Sequence, residues 1–199
     1  MDLMDLLQGN LSEDLLGTLA KQLGGADKKQ TQVAAQGAIG ALASALAKNA
    51  STSDGANALV SALDRDHDGS IMDDVIGMLS GTRQPRNAST TNGAGILRHV
   101  LGGKQNNIIN MISKMSGLDN SKSGSILSML APLLMGSLGK ARHQRGLGVM
   151  DIAKVLTNSV QTRQKEDSGL GLIGKFLDSD GDGNIMDDIA KIGMNFLRK

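Results

Sequence analysis

Two stretches of this chain place carboxylates at alternate positions and follow them with a glycine: Leu63-Asp64-Arg65-Asp66-His67-Asp68-Gly69-Ser70-Ile71-Met72-Asp73-Asp74 and Leu177-Asp178-Ser179-Asp180-Gly181-Asp182-Gly183-Asn184-Ile185-Met186-Asp187-Asp188. Alternate residues of a tight loop point inward, so Asp64, Asp66 and Asp68 can converge on one cation, as can Asp178, Asp180 and Asp182. Gly69 and Gly183 supply a sharp turn that a Cβ would resist. Backbone carbonyls of Ser70 and Asn184 complete a set of hard oxygen ligands, and Ca²⁺ is the expected cofactor. Without a counter-ion the five carboxylates of each loop repel one another.

Both loops depart from the EF-hand pattern at their ends. That pattern closes with a bidentate Glu at position twelve, where this chain has Val75 and Ile189. Closure falls instead to Asp73 and Asp74, or Asp187 and Asp188, one or two residues early and on a shorter arm. Weak, geometry-tolerant binding is expected. Ile71 and Ile185 stand at the apolar plug position, and His67 is expected to point outward rather than to ligate. A single Asp-rich turn is ordinarily a solvated turn or a helix cap. Repetition of the same Asp, Gly, Ile, Met and Asp-Asp positions favours metal binding, because turn chemistry alone requires only the glycine and one Asp.

The elements that must position these loops read as helices, and they repeat. Asp5-Leu6-Leu7-Gln8-Gly9 matches His99-Val100-Leu101-Gly102-Gly103, and Leu15 to Lys21 matches Ile108 to Lys114. Gly24-Gly25-Ala26-Asp27 then matches Ser116-Gly117-Leu118-Asp119, each followed by a long apolar helix, Val33 to Leu46 and Ser125 to Leu138. The chain divides into a first helical repeat at 1–80, a polar linker at 81–93 rich in breakers, and a second repeat at 94–199. An inserted helix is expected at about 140–165, where Val149, Ile152, Ala153, Leu156 and Val160 recur at helical spacing. Leu15, Leu16, Leu19 and Leu23 line one helix face, with Ser12 as its N-cap and Gly24 as its stop. Leu59, Val60 and Leu63 lead into the first loop; Val75, Ile76 and Leu79 lead out. No segment alternates apolar and polar residues, so the fold class is all-α: two tandem repeats, each with an EF-hand-like calcium loop between helices.

Ala34, Ala35, Ala38, Ala41 and Ala45, with Gly37 and Gly40, give the first long helix a small surface that lets neighbours approach. The second uses Ile126, Leu127, Leu130, Leu133, Leu134 and Leu138, and Pro132 is expected to kink or break it. Each apolar run falls short of the roughly twenty residues a membrane span requires, so no membrane insertion is expected.

Composition narrows the function. With 199 residues the chain can bury a sizeable core, built on Leu, Ile, Ala and eleven Met because Phe176 and Phe196 are its only aromatics. A net charge of +1 recruits no nucleic acid and permits self-association. The one dense basic run, Lys140-Ala141-Arg142-His143-Gln144-Arg145, reads as a solvated helix end. With no cysteine there is no thiol nucleophile or zinc cluster. The acidic start Met1-Asp2-Leu3-Met4-Asp5 is unlike a signal peptide, so a cytoplasmic location is the default, with export by an unrecognised route as the alternative. Gly169-Leu170-Gly171-Leu172-Ile173-Gly174 matches a nucleotide-binding glycine pattern, but no strand precedes it and Phe176 stands where a phosphate loop needs Ser or Thr. His67, His99 and His143 lie on separate elements. No catalytic residues are expected.

The opening Met1-Asp2-Leu3-Met4-Asp5-Leu6-Leu7-Gln8-Gly9, together with Gln22-Leu23-Gly24-Gly25, Gly55-Ala56-Asn57-Ala58-Leu59, His99-Val100-Leu101-Gly102-Gly103-Lys104-Gln105 and Lys114-Met115-Ser116-Gly117-Leu118-Asp119, resembles the YidB-like proteins, a bacterial family of unknown function. The resemblance implies an all-helical fold and, for some members, self-assembly into polymers; it brings no enzymatic residues. The expected function is a non-catalytic, calcium-binding helical scaffold that associates with itself. The alternatives are a monomeric calcium-responsive adaptor whose Met-rich face meets a protein partner, and, further off, a metal-dependent enzyme.

Overall fold

The computed structural model describes residues 13–66, 77 and 92–166, with backbone alone at 66 and 160–166. These residues form helices α1 (Glu13–Gln22), α2 (Lys28–Asn49), α3 (Ser53–Asp66), α4 (Gly93–Leu101), a 3₁₀ turn (Gly102–Lys104), α5 (Gln105–Ser116), α6 (Asn120–Arg145) and α7 (Val149–Glu166). Among the described residues there is no strand. The Ser12 cap, the residues leading out of the first loop, most of the linker and everything after Glu166 lie outside them.

Local chemistry starts the two long helices in the same way. Asp27 caps α2 by accepting from the Gln30 N–H at 2.9 Å, and Asp119 caps α6 by accepting from the Lys122 N–H at 2.8 Å. Each satisfies a backbone donor that the first helical turn leaves unpaired. The two aspartates are the residues that the internal sequence match pairs. Gly24, with a φ of 74°, takes the left-handed conformation at the α1 stop.

Packing holds the bundle together. In α2 every residue from Gly37 to Ala47 is buried, and in α6 every residue from Leu130 to Gly139. A helix that is apolar all round must be covered on every side. The other helices provide that cover, and the two apolar helices also pack on each other: α5, α6 and α7 pack on α2, while α3, α4 and α5 pack on α6. The small-residue surface of α2 works as its composition predicts, because a Cβ added to Gly37 would lie only 3.6 Å from Ile112 Cγ1 of α5. Leu15, Leu19 and Leu23, Ile108 and Ile112, and Ile152 and Leu156 are buried in a core that helices from both halves of the chain share. Each fully buried Leu or Ile contributes about 1.5–3 kcal/mol against about 1 kcal/mol for one cap, so packing outweighs capping.

Both long helices exceed their expected bounds, and α6 runs unbroken through Pro132 to Arg145. Consequently residues 140–145 belong to α6, and the inserted helix begins only at Val149. Proline has no N–H to give the carbonyl four residues back, that of Ser128. Gly93 of α4 lies against this same carbonyl, so closely that an added Cβ would sit 1.8 Å from Ser128 O. Its Cα hydrogens face the oxygen that Pro132 leaves without a helical donor. Gly93 is therefore buried as the first residue of α4, not a linker residue, and Asn92 caps it by accepting from the Gly95 N–H at 3.0 Å. By length and composition α6 is apolar enough to cross a membrane, which its expected bounds had excluded; most of its surface is covered by the other helices.

Two outcomes follow from these contacts. Gly93→Ala should destabilise the protein by about 2–3 kcal/mol in chemical denaturation, because the colliding atom is backbone. Gly17→Ala, mid-helix with nothing within 4 Å of the new methyl, should stabilise it by about 0.5–1 kcal/mol. The hydrogen bond from the Lys122 backbone holds the Asp119 carboxyl below its usual range. A depressed carboxylate adds stability above its ordinary pKa and loses it as the pH falls through the lowered value. Asp119→Asn, which keeps a capping oxygen, should therefore flatten part of the acid limb of a stability-versus-pH curve.

Candidate functional site at the entrance to the first acidic loop

Helix α3 carries the start of the first acidic stretch. Ala56, Leu59, Val60 and Leu63 form its buried face, and Leu63 is completely enclosed. The next residue, Asp64, emerges at the surface in the last turns of a helix that ends at Asp66. The helix runs two residues past Asp64, so the stretch from Asp64 to Asp66, expected as the start of a tight loop, is helical instead. Of the other expected ligands, Asp66 is helical in its backbone. Its side chain, Asp68, Ser70, Asp73 and Asp74, and the whole second set of Asp178, Asp180, Asp182, Asn184, Asp187 and Asp188, lie outside the described residues. So does His67.

Both Asp64 carboxylate oxygens are engaged by a residue 78 positions further along the chain. Arg142 of α6 donates from Nε to Oδ1 at 2.5 Å and from Nη2 to Oδ2 at 2.8 Å. This two-pronged match of guanidinium and carboxylate is the strongest geometry available to such a pair. The third arm, Nη1, donates to the Leu147 carbonyl in the turn between α6 and α7. His143 Nε2 stands 4.0 Å from Asp64 Oδ1. The hydrogen bond from Arg142 holds the Asp64 carboxyl below its usual range despite some desolvation, with the charges of Arg142 and His143 adding to the effect. Reciprocally, the bond to Asp64 raises the Arg142 pKa. One guanidinium thus ties together the end of α3, the end of α6 and the start of α7.

Sequence reasoning missed Arg142, which reads there as part of a solvated helix end. His143, Gln144 and Arg145 are indeed exposed, but the Arg142 side chain is only 20% exposed. The one local hint was the choice of Arg, whose planar fork matches a carboxylate as Lys cannot. Its partner lies in the other half of the sequence.

A second feature lies along α3. Between the end of α2, helix α3 and helix α4 lies a cavity of about 450 Å³ walled by Leu46, Leu59, Ala62, Val100 and Met135, with His99 among its lining residues. Two of its polar groups are committed to the fold. Asn49 Nδ2 donates to the Val100 carbonyl at 3.1 Å, and Thr52 Oγ1 accepts from the Gly55 N–H at 3.1 Å. Gly55 itself abuts the end of α2, where an added Cβ would meet Asn49 O at 1.8 Å. Among the described residues no three carboxylate or imidazole groups converge as a metal site.

The Asp64–Arg142 pair is half-exposed, with the Asp64 side chain 43% accessible, so its strength should respond to salt. In a double-mutant cycle of Asp64→Asn and Arg142→Gln, denaturation midpoints should reveal favourable coupling at low ionic strength. At about 1 M salt, where the screening length is only ~3 Å, that coupling should shrink.

Neither a curated protein nor a solved structure matches the chain. A family described as bacterial protein of unknown function (DUF937) matches residues 5–141, which span α1 to α5 and most of α6. The chain belongs to that bacterial family.

Proposed function

We propose that this protein is a non-catalytic, calcium-binding helical scaffold that associates with itself, and that within the family it is one of the YidB-like members. The observation that supports the calcium reading is the emergence of Asp64 at the surface directly after the buried Leu63, in the last turn of a helix that leads toward further aspartates in the sequence. Asp64, Asp66, Asp68 and Asp74, with Asp178, Asp180, Asp182 and Asp188, neutralise the ion. Asp73 and Asp187 offer alternative closing carboxylates, and Ser70 and Asn184 contribute carbonyls. Bound Ca²⁺ removes the repulsion among the acids and fixes the helix entering each loop relative to the helix leaving it. A net charge of +1 leaves little repulsion between copies. That favours self-association in the cytoplasm over recruitment of nucleic acid.

One observation favours the second reading, a monomeric calcium-responsive adaptor. The apolar cavity beside α3 is lined in part by Met135, and Met111, Met115 and Met129 are only partly buried against the core. Flexible thioethers suit a surface that must accommodate a partner.

Calorimetric titration with Ca²⁺, paired with light scattering before and after a chelator, tests both readings. The scaffold reading expects two loops filling at about 10⁻⁵–10⁻³ M Ca²⁺, with particle mass that grows with protein concentration and falls when the ion is removed. A chain that stays monomeric yet binds an apolar dye only with Ca²⁺ would establish the adaptor instead. If no heat of binding is found and the chelator alters neither size nor helix content, the calcium reading fails.

A further inference from the structure

We propose that the cavity between the end of α2, helix α3 and helix α4 binds a small amphipathic anion: an unbranched aliphatic carboxylate whose tail fills the space and whose head lies at the rim. The site is independent of the acidic stretches and of what they bind.

Wall and rim differ in kind. Leu46, Leu59, Val100 and Met135 are buried and make the wall apolar, whereas Asn49, Thr52 and His99 are exposed and Lys48 is half-buried. A ligand that matches this order is apolar at one end and polar at the other. The sign of the polar end follows from the lining, which includes Lys48 and His99 and no acidic residue. A cationic head would find no carboxylate there, while a carboxylate head finds an ammonium and an imidazole N–H, which donate but do not repel it. At about 450 Å³ the space falls within the ~300–1,000 Å³ of small-molecule sites.

The cavity exists because of what α3 presents to it. Gly55, Ala58 and Ala62 recur at helical spacing along its lining, beside the stripe of Ala56, Leu59, Val60 and Leu63 that enters the core. Three small residues leave open a space that larger side chains would take. The frame around that space is fixed. Asn49 Nδ2 ties the end of α2 to the Val100 carbonyl of α4, and Gly55 abuts the end of α2 too closely to admit a Cβ. A site held open by such contacts loses little freedom when a ligand enters.

The test is calorimetry on the full chain with hexanoate, octanoate and decanoate, each below the concentration at which it forms micelles. One molecule should bind per chain, with affinity rising about three- to fourfold for each added methylene, and decanoate should bind more tightly than decyltrimethylammonium. Ala62→Leu fills the space from α3 and should weaken decanoate binding by about tenfold or more, the worth of roughly two methylenes, with helix content retained. Ala94→Leu adds the same carbons at an exposed position outside the cavity and should leave the affinity as it is. Lys48→Gln combined with His99→Gln should remove the preference for the anionic probe. The Met135 methyl resonance of the unaltered chain should move in step with decanoate occupancy, a readout that stands even where Ala62→Leu fails to fold. The site is overturned by any of four results: no saturable binding, a tighter fit for decyltrimethylammonium, a folded Ala62→Leu chain that binds as well as the Ala94→Leu one, or a Met135 methyl that stays still during saturation. Binding to phosphatidylglycerol vesicles without uptake of free decanoate would overturn it in favour of a membrane surface.

Discussion

Two helices whose central turns have no polar face, α2 and α6, set the terms for the rest of this bundle. Neither can present such a surface to water, and each fully buried Leu or Ile along them is worth more than any single cap. The shorter helices must therefore be arranged so that their apolar stripes cover both rods. Because α2 comes from the first half of the sequence and α6 from the second, covering them draws the two halves into one core. Each of the two central helices starts with an aspartate cap, and both lie within a common interior.

Close packing around α6 explains why a proline is tolerated in its middle. Losing the Pro132 N–H strands the Ser128 carbonyl, and the helix that covers this point begins with the one residue able to bring its backbone against that oxygen. At Gly55 the same device lets α3 cross the end of α2. The direction that α3 then takes decides where its last turns lie. Leu63 is drawn into the core and Asp64 is left at the surface beside the end of α6, within reach of Arg142.

The Asp64–Arg142 pair is modest as a source of stability, because both groups retain contact with water. Its importance lies in position. It joins the end of α3 to the turn between α6 and α7.

Much of this was legible in the residues themselves. Leu15, Leu19 and Leu23, or Ile152, Ala153 and Leu156, announce helices because apolar contacts recur with the helical period, and Asp27 and Asp119 announce helix starts because a carboxylate can accept from the first-turn N–H groups. Those are interactions over a few residues, and the sequence by itself determined them, along with the all-helical class. Helix lengths were less legible: Pro132 looked like an end because its local cost is visible, whereas the glycine that relieves it arrives from another helix. The Arg142 contact with Asp64 and the cavity beside α3 were decided by tertiary structure alone. Both depend on how amphipathic stripes fall around two apolar rods, and that arrangement brings together groups 78 residues apart with no local pattern to link them.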